Sequence, residues 1–141
     1  MNLLDLKPSE RVIEILSPKN QEPIGIRITL VHVDDPRLKK LKRQIQDESS
    51  RLSQRGKIFK AEQLESNIQE VVFTAMTGWE WYNPTGQKGD AGYDATRTLE
   101  LDGDKNPPFT KANVLKVFEV LPWFLEQIKK ELDNSEAFFP G

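Results

Sequence analysis

The spacing of hydrophobic residues along this chain changes several times, and each change marks an element. From Ile24 to Leu30 the positions alternate, with Ile24, Ile26, Ile28 and Leu30 on one side and Gly25, Arg27 and Thr29 on the other. A period of two is the signature of a half-buried strand. Arg11 to Leu16 (RVIEIL) is rich in β-branched residues, and the turn-prone run Ser17-Pro18-Lys19-Asn20-Gln21-Glu22-Pro23 lies between the two. Residues 11–32 are therefore expected to form a β-hairpin with one apolar face. Two strands alone are marginal in water, so helices or another chain must cover that face. The preceding ten residues read as an irregular arm, with Leu3, Leu4 and Leu6 as anchors.

The period then becomes helical. Asp35-Pro36 is a strong helix start, with Asp as N-cap and Pro at the first helical position. The helix is expected over about 35–55, with a thin apolar stripe of Leu38, Leu41, Ile45 and Leu52 interrupted by Glu48. Such a stripe suits a helix packed along one seam and otherwise solvated. A broader face of Ala61, Leu64, Ile68, Val71, Val72, Ala75 and Met76 predicts a core helix over 60–77, ended by Gly78. Residues 78–108 carry Gly78, Gly86, Gly89, Gly92, Gly103, Pro84, Pro107 and Pro108, and read as a long loop. Within it, Thr96 to Leu101 suits a short strand closed by Asp102-Gly103. Thr110 is an N-cap candidate for a helix over 110–121, although Asn113 leaves its capping box incomplete. Pro122 interrupts and opens a second helix over 122–133, whose apolar face is Leu121, Phe124, Leu125, Ile128 and Leu132.

Composition narrows the chemistry. A chain of 141 residues suits a single domain spanning 1–141. Its net charge of −2 gives no global attraction to nucleic acid or acidic membranes. No cysteine is present, which excludes disulfides, thiolate chemistry and Cys-built zinc sites. No apolar run reaches the length of a signal peptide or a membrane helix, so a cytoplasmic location without membrane contact is expected. The single histidine, His32, stands at a strand end and reads as an ordinary, partly buried residue. With one His and no Cys, most nucleophile–base pairs cannot be assembled, so no catalytic residues, metal or cofactor are expected. Pro84-Thr85-Gly86-Gln87-Lys88-Gly89 lacks the spacing of a phosphate loop, and Asp102-Gly103-Asp104 lacks the distal Glu of a calcium loop. Asp90 and Asp94 form a carboxylate pair of undefined geometry, so an enzyme working through this loop needs a metal or cofactor that the sequence does not supply.

Two sets of residues suggest binding. Arg37, Lys39, Lys40, Lys42 and Arg43 place five cations in seven residues, enough to contact phosphates. No aromatic residues are interleaved to stack bases, and Asp34, Asp35, Asp47 and Glu48 flank the cluster, so a solvated helix face is the favoured reading. The aromatic set, Trp79, Trp81, Tyr82, Trp123, Phe124, Phe138 and Phe139, lies on either side of the long loop. Aromatics dominate both cores and binding hot spots. Phe138-Phe139 stands almost at the terminus, where chains are usually polar, and either folds back onto the core or awaits a partner; burial of large apolar groups favours folding back.

Four features together resemble the tail assembly chaperones of long-tailed (siphovirus-type) bacteriophages and prophages. They are the hairpin PKNQEPIGIRITL leading to Val33-Asp34-Asp35, the charged helix after it, the Trp79 segment with its loop reaching Asp102-Gly103, and the ending PFTKANVLKVFEVLPWFLEQIKKELDNSEAFF. The ending is the most specific, through its Phe-Thr-x-x-Asn helix start, Pro-Trp pair, Gln127-Ile128 run and terminal Phe-Phe. The stretch 83–108 is the least family-like. The resemblance implies a non-enzymatic protein. Such chaperones coat the apolar, helical tape measure protein, keep it soluble, bring in tail tube subunits and are absent from the finished virion. Some families also make an extended form by ribosomal frameshifting.

The expectation is thus an α+β fold, mainly helical, with an N-terminal β-hairpin packed on three to five helices. Its buried set should include Ile13, Ile15, Ile26, Ile28, Leu64, Ile68, Val71, Val72, Leu115, Phe118, Phe124 and Ile128. The expected function is a phage tail assembly chaperone in the bacterial host cytoplasm, whose partners are the tape measure protein, the tail tube protein and further copies of itself. Trp79, Trp81, Trp123, Phe138 and Phe139 are the candidate partner-binding residues. The alternative is a small nucleic-acid-binding or regulatory protein using the basic helix 37–43, with binding that falls steeply with salt.

Overall fold

The hairpin turn is closed by hydrogen bonds within it, two along the backbone and one to a side chain. Ser17 N–H donates to the Glu22 carbonyl, Gln21 N–H donates to the Ser17 carbonyl, and Asn20 Oδ1 accepts from Glu22 N–H. The turn joins β1 (Arg11–Leu16) to β2 (Pro23–Leu30) in an antiparallel pair. The computed structural model describes residues 2–3, 7–82, 100–101 and 103–139. After the hairpin come α1 (Pro36–Gln54), α2 (Ala61–Ala75), β3 (Met76–Trp81), the small pair β4 (Glu100–Leu101) and β5 (Asp104–Lys105), α3 (Lys111–Val120) and α4 (Pro122–Asp133). A 3-10 turn over Ser135–Phe138 closes the described chain.

The fold is α+β; the described residues form an antiparallel three-stranded sheet of order β1-β2-β3 and four α-helices. The third strand corrects the expected loop after Gly78. α2 ends at Ala75, not at Thr77, and Met76 is already extended at φ −89° and ψ 131°. The chain therefore turns straight from helix into strand. Trp81 pairs with Ile26, Trp79 with Ile28 and Met76 with Leu30. The hairpin gains a third strand from its own chain, which relieves one exposed edge.

One face of this sheet makes the core. Ile13, Ile15, Ile26, Ile28 and Leu30 pack with Val72, Ala75 and Met76, with Val114, Val117 and Phe118 of α3, and with Phe124, Leu125, Ile128 and Leu132 of α4. The expected caps form. Asp35 accepts from Arg37 N–H at the start of α1, and Thr110 Oγ1 accepts from Asn113 N–H at the start of α3. Leu121, restricted by the following proline, sits at φ −126° and ψ 77° and separates α3 from α4.

Two expected core residues are not buried. Leu64 is 50% exposed and Ile68 41%. Val71 and Leu115 are half-buried against the core, and the other eight members of the expected set are buried or nearly so. The N-terminal arm is not anchored by Leu3, which is 78% exposed. The arm is held at Ser9, whose N–H and hydroxyl both donate to the Phe138 carbonyl (2.7 and 3.2 Å). Leu4, Leu6, the Pro84–Gly89 segment, the Asp90/Asp94 pair, Asp102 and residues 96–99 of the expected short strand lie outside the described residues.

Candidate binding groove

α1 is the least embedded helix. Leu38 is its one fully buried residue, while Leu41, Ile45 and Leu52 of the same stripe stay half-exposed. α1 leans on α2, and the two are joined by a turn in which Gly56 takes φ 69°, with Lys57 N–H donating to the Leu52 carbonyl. α2 has a wider apolar surface than one neighbour can cover. Val72, Ala75 and Gln69 are buried, but Leu64 and Ile68, nearer its N-terminus, stay exposed.

The two incomplete seams face each other and leave an apolar groove of about 500 Å³. Leu38, Lys42, Ile45 and Gln46 of α1 form one wall; Leu64, Asn67, Ile68, Val71 and Val72 of α2 form the other. Val33, Phe59 and Leu132 close its ends, and Lys129 and Asp133 of α4 stand at its rim. The Asn67 amide oxygen accepts from Gln63 Nε2 (2.9 Å), while its amide nitrogen is buried with no acceptor among the described residues. From Leu38 to Gln46 a helix advances about 12 Å, so the groove matches roughly two turns of a bound helix. A second hollow, lined by Leu52, Ile58 and Phe59, continues from the same Phe59 towards the turn between the helices.

The five candidate aromatics lie elsewhere, and differ in what they offer. Trp79 and Trp81 are half-buried and contact each other edge to face at 5.5 Å; both indole N–H groups donate to the Pro107 carbonyl at 3.0 Å. Phe109 joins them, stacked on Phe73 and edge-on to Trp79. These tryptophans thereby fasten the segment before α3 to β3. Trp123 is half-buried against Phe124 and lines a shallow hollow beside β1. Phe138 is 1% exposed and Phe139 43%. The terminal pair thus splits, one ring folded into the core and one left at the surface.

His32 is a packing residue of this tail. It is buried, both terminal Phe rings meet it edge-on at 5.5 Å, and its Nδ1 accepts from Asp34 N–H at 3.2 Å. Arg11 lies over the Phe138 ring and pairs with Glu131 at 2.6 Å. On the outer face of the sheet, Arg27 stacks on Tyr82 at 3.9 Å and pairs with Glu14. Burial, reinforced by Glu14, pushes the Tyr82 phenol above its ordinary value. Among the described residues no cluster of three or more His, Cys, Asp or Glu could hold a metal ion, and no helix is long and apolar enough to cross a membrane.

No protein-family model, curated protein or solved structure matches the chain. The groove is therefore read on its own geometry. Sequence reasoning placed Leu64 and Ile68 in the core because a broad apolar face usually is core. Leu64, Ile68, Val71, Val72 and Ala75 form one helical stripe. The core covers its C-terminal end, at Val72 and Ala75, and leaves Leu64 and Ile68 nearer the N-terminus exposed, a division along the helix that periodicity does not signal.

Proposed function

We propose that this protein is a tail assembly chaperone of long-tailed bacteriophages: a non-catalytic protein that holds apolar helical segments of the tape measure protein and keeps them soluble. The observation that carries the proposal is the groove, in which Leu64 and Ile68 stay exposed beside the half-exposed stripe of α1. A contiguous apolar patch rimmed by polar residues marks a site of interaction. A furrow between two helices, about two turns long, suits an amphipathic helix laid in by its i, i+3, i+4, i+7 residues. The resemblance of the chain's ending to this family supplies the identity of the client. Weak sites of this kind, repeated along a long client, gain strength through multivalency. On this reading the protein acts in the host cytoplasm, helps recruit tail tube subunits and leaves before the virion is complete.

The test is co-expression with the tape measure protein encoded beside it, followed by co-purification and light scattering. The expected result is a soluble complex carrying many copies of this chain per client. A client that still aggregates while this chain purifies alone would refute the proposal.

A further inference from the structure

We propose that the groove selects helices whose apolar stripe is bordered by carboxylates, and that Lys39, Lys42 and Arg43 of α1 with Lys129 of α4 form the electrostatic half of that recognition. The inference rests on the groove being the client site, and adds the chemistry of the client's flanks.

Three observations carry it. First, the start of α1 is charged against its own dipole. Its first turn has no acidic residue, and cations crowd the end that a helix dipole makes positive. Folding alone gives no reason for that arrangement, whereas binding an anionic partner does. Second, Arg37 is neutralised within the chain by both oxygens of Asp35 (2.9 and 3.2 Å), but Lys39, Lys42 and Arg43 are exposed and pair with no carboxylate among the described residues. Lys42 and Arg43 stand three and four residues after Lys39, so both neighbour it and the three make one patch on the helix surface. Third, Lys42 lines the groove itself, and Lys129 stands at the rim on α4, held only loosely by Glu126 at 3.7 Å. Asp133, one turn beyond Lys129, is the acidic group at this rim.

An apolar furrow bordered by unpaired cations is complementary to one kind of helix, apolar in the middle and acidic at the sides. A nucleic acid would satisfy the cations but leave Leu64 and Ile68 exposed, and the cluster carries no aromatic residue to stack a base. The chain's net charge of −2 works slightly against an acidic ligand, so any preference for one must come from this local cluster.

The experiment uses the full chain and two synthetic peptides that share one apolar stripe and one helicity, with Glu flanks in one and Lys flanks in the other. Binding is followed by fluorescence anisotropy at low and high salt. The Glu-flanked peptide should bind about tenfold tighter at low salt, and the gap should close as salt screens the flanks. Reversing Lys39→Glu, Lys42→Glu and Arg43→Glu together should invert the preference. All three are surface positions, so the helix signal should persist. Ile68→Asp should weaken binding of both peptides. Equal binding of the two peptides, or a preference that the triple reversal leaves intact, would overturn the electrostatic selection while leaving the groove as a site. Failure of both peptides to bind at every salt would overturn the groove reading and this inference with it. An oligonucleotide that binds tighter than the Glu-flanked peptide and displaces it would assign the cations to nucleic acid and overturn the inference as well.

Discussion

Gln127 shows how much one side chain can organise. Its Oε1 accepts from Leu16 N–H at 3.0 Å, and its Nε2 donates to the Leu16 carbonyl at 2.6 Å. One amide thus satisfies both backbone groups at the end of β1 and ties α4 to the free edge of the sheet. A half-buried backbone pair left without partners is costly. Gln127→Ala should therefore lower stability by about 2 kcal/mol, read as a reduced urea midpoint with an unchanged m-value. A midpoint within error of the parent would show that water replaces the amide at no cost. The sequence marked Gln127 only as part of the Gln127-Ile128 run; this role was not legible, because it depends on a strand 111 positions away. The caps at Asp35 and Thr110 were legible, because capping is written in residues next to each other. The burial of Phe138 was legible too, from its apolar character. Its neighbour Phe139 was not separable from it, since only the 3-10 turn decides which ring points inward.

At the scale of elements, local signals carried the hairpin and all four helices to within a residue or two. Asp35 gives the sharpest prediction here. Hydrogen bonds from the Arg37 side chain, ahead of its backbone N–H and its charge, hold the Asp35 carboxyl below its ordinary value. A lowered pKa in the folded chain contributes stability above the unfolded-state value, about 3.9, and that contribution is lost as pH falls through the lower folded value. The N-terminus of α1 should thus be firm at neutral pH and loosen only in the acid range below about pH 4. Asp35→Ala should cost about 1 kcal/mol at pH 7 and flatten that acid step, as followed by urea midpoints at pH 7 and in acid. An equal acid step in the variant would place its origin in another carboxylate.

β3 was the element that stayed hidden. Gly78 looked like a helix terminator, and the glycines after it drew the whole region into one loop. The strand signal was present in Thr77, Trp79 and Trp81 alternating with Gly78, Glu80 and Tyr82, but six residues beside a helix end are weak evidence until a partner is known. The partner, β2, lies almost fifty positions earlier in the chain. β2 itself holds a feature that alternation alone cannot show: between Glu14 and Leu16 of β1 the register slips, and Gly25 opposite this stretch takes φ 109°, a conformation a side chain would strain.

Taken whole, the described residues make one well-filled core and leave one apolar seam open. The sheet, α3 and α4 bury their apolar faces against one another, and α2 adds Val72 and Ala75 from the C-terminal end of its stripe. Leu64 and Ile68, nearer its N-terminus, line the groove with the stripe of α1 and are not covered by the described residues. That division was not visible in the sequence, where Leu64 and Ile68 look the same as Val72 and Ala75. It follows from geometry, since only the assembled fold shows which end of the α2 stripe the core covers. The central claim is that a client helix occupies this open seam. A chain without cysteine allows a direct test, because single cysteines can be placed one at a time at Ile68, in the groove, and at Val12, exposed on the outer face of the sheet. The rate of maleimide modification is then measured with and without the co-purified client. The account predicts slowed modification at Ile68→Cys and an unchanged rate at Val12→Cys; an unchanged rate at Ile68→Cys, with the client demonstrably bound, would contradict it.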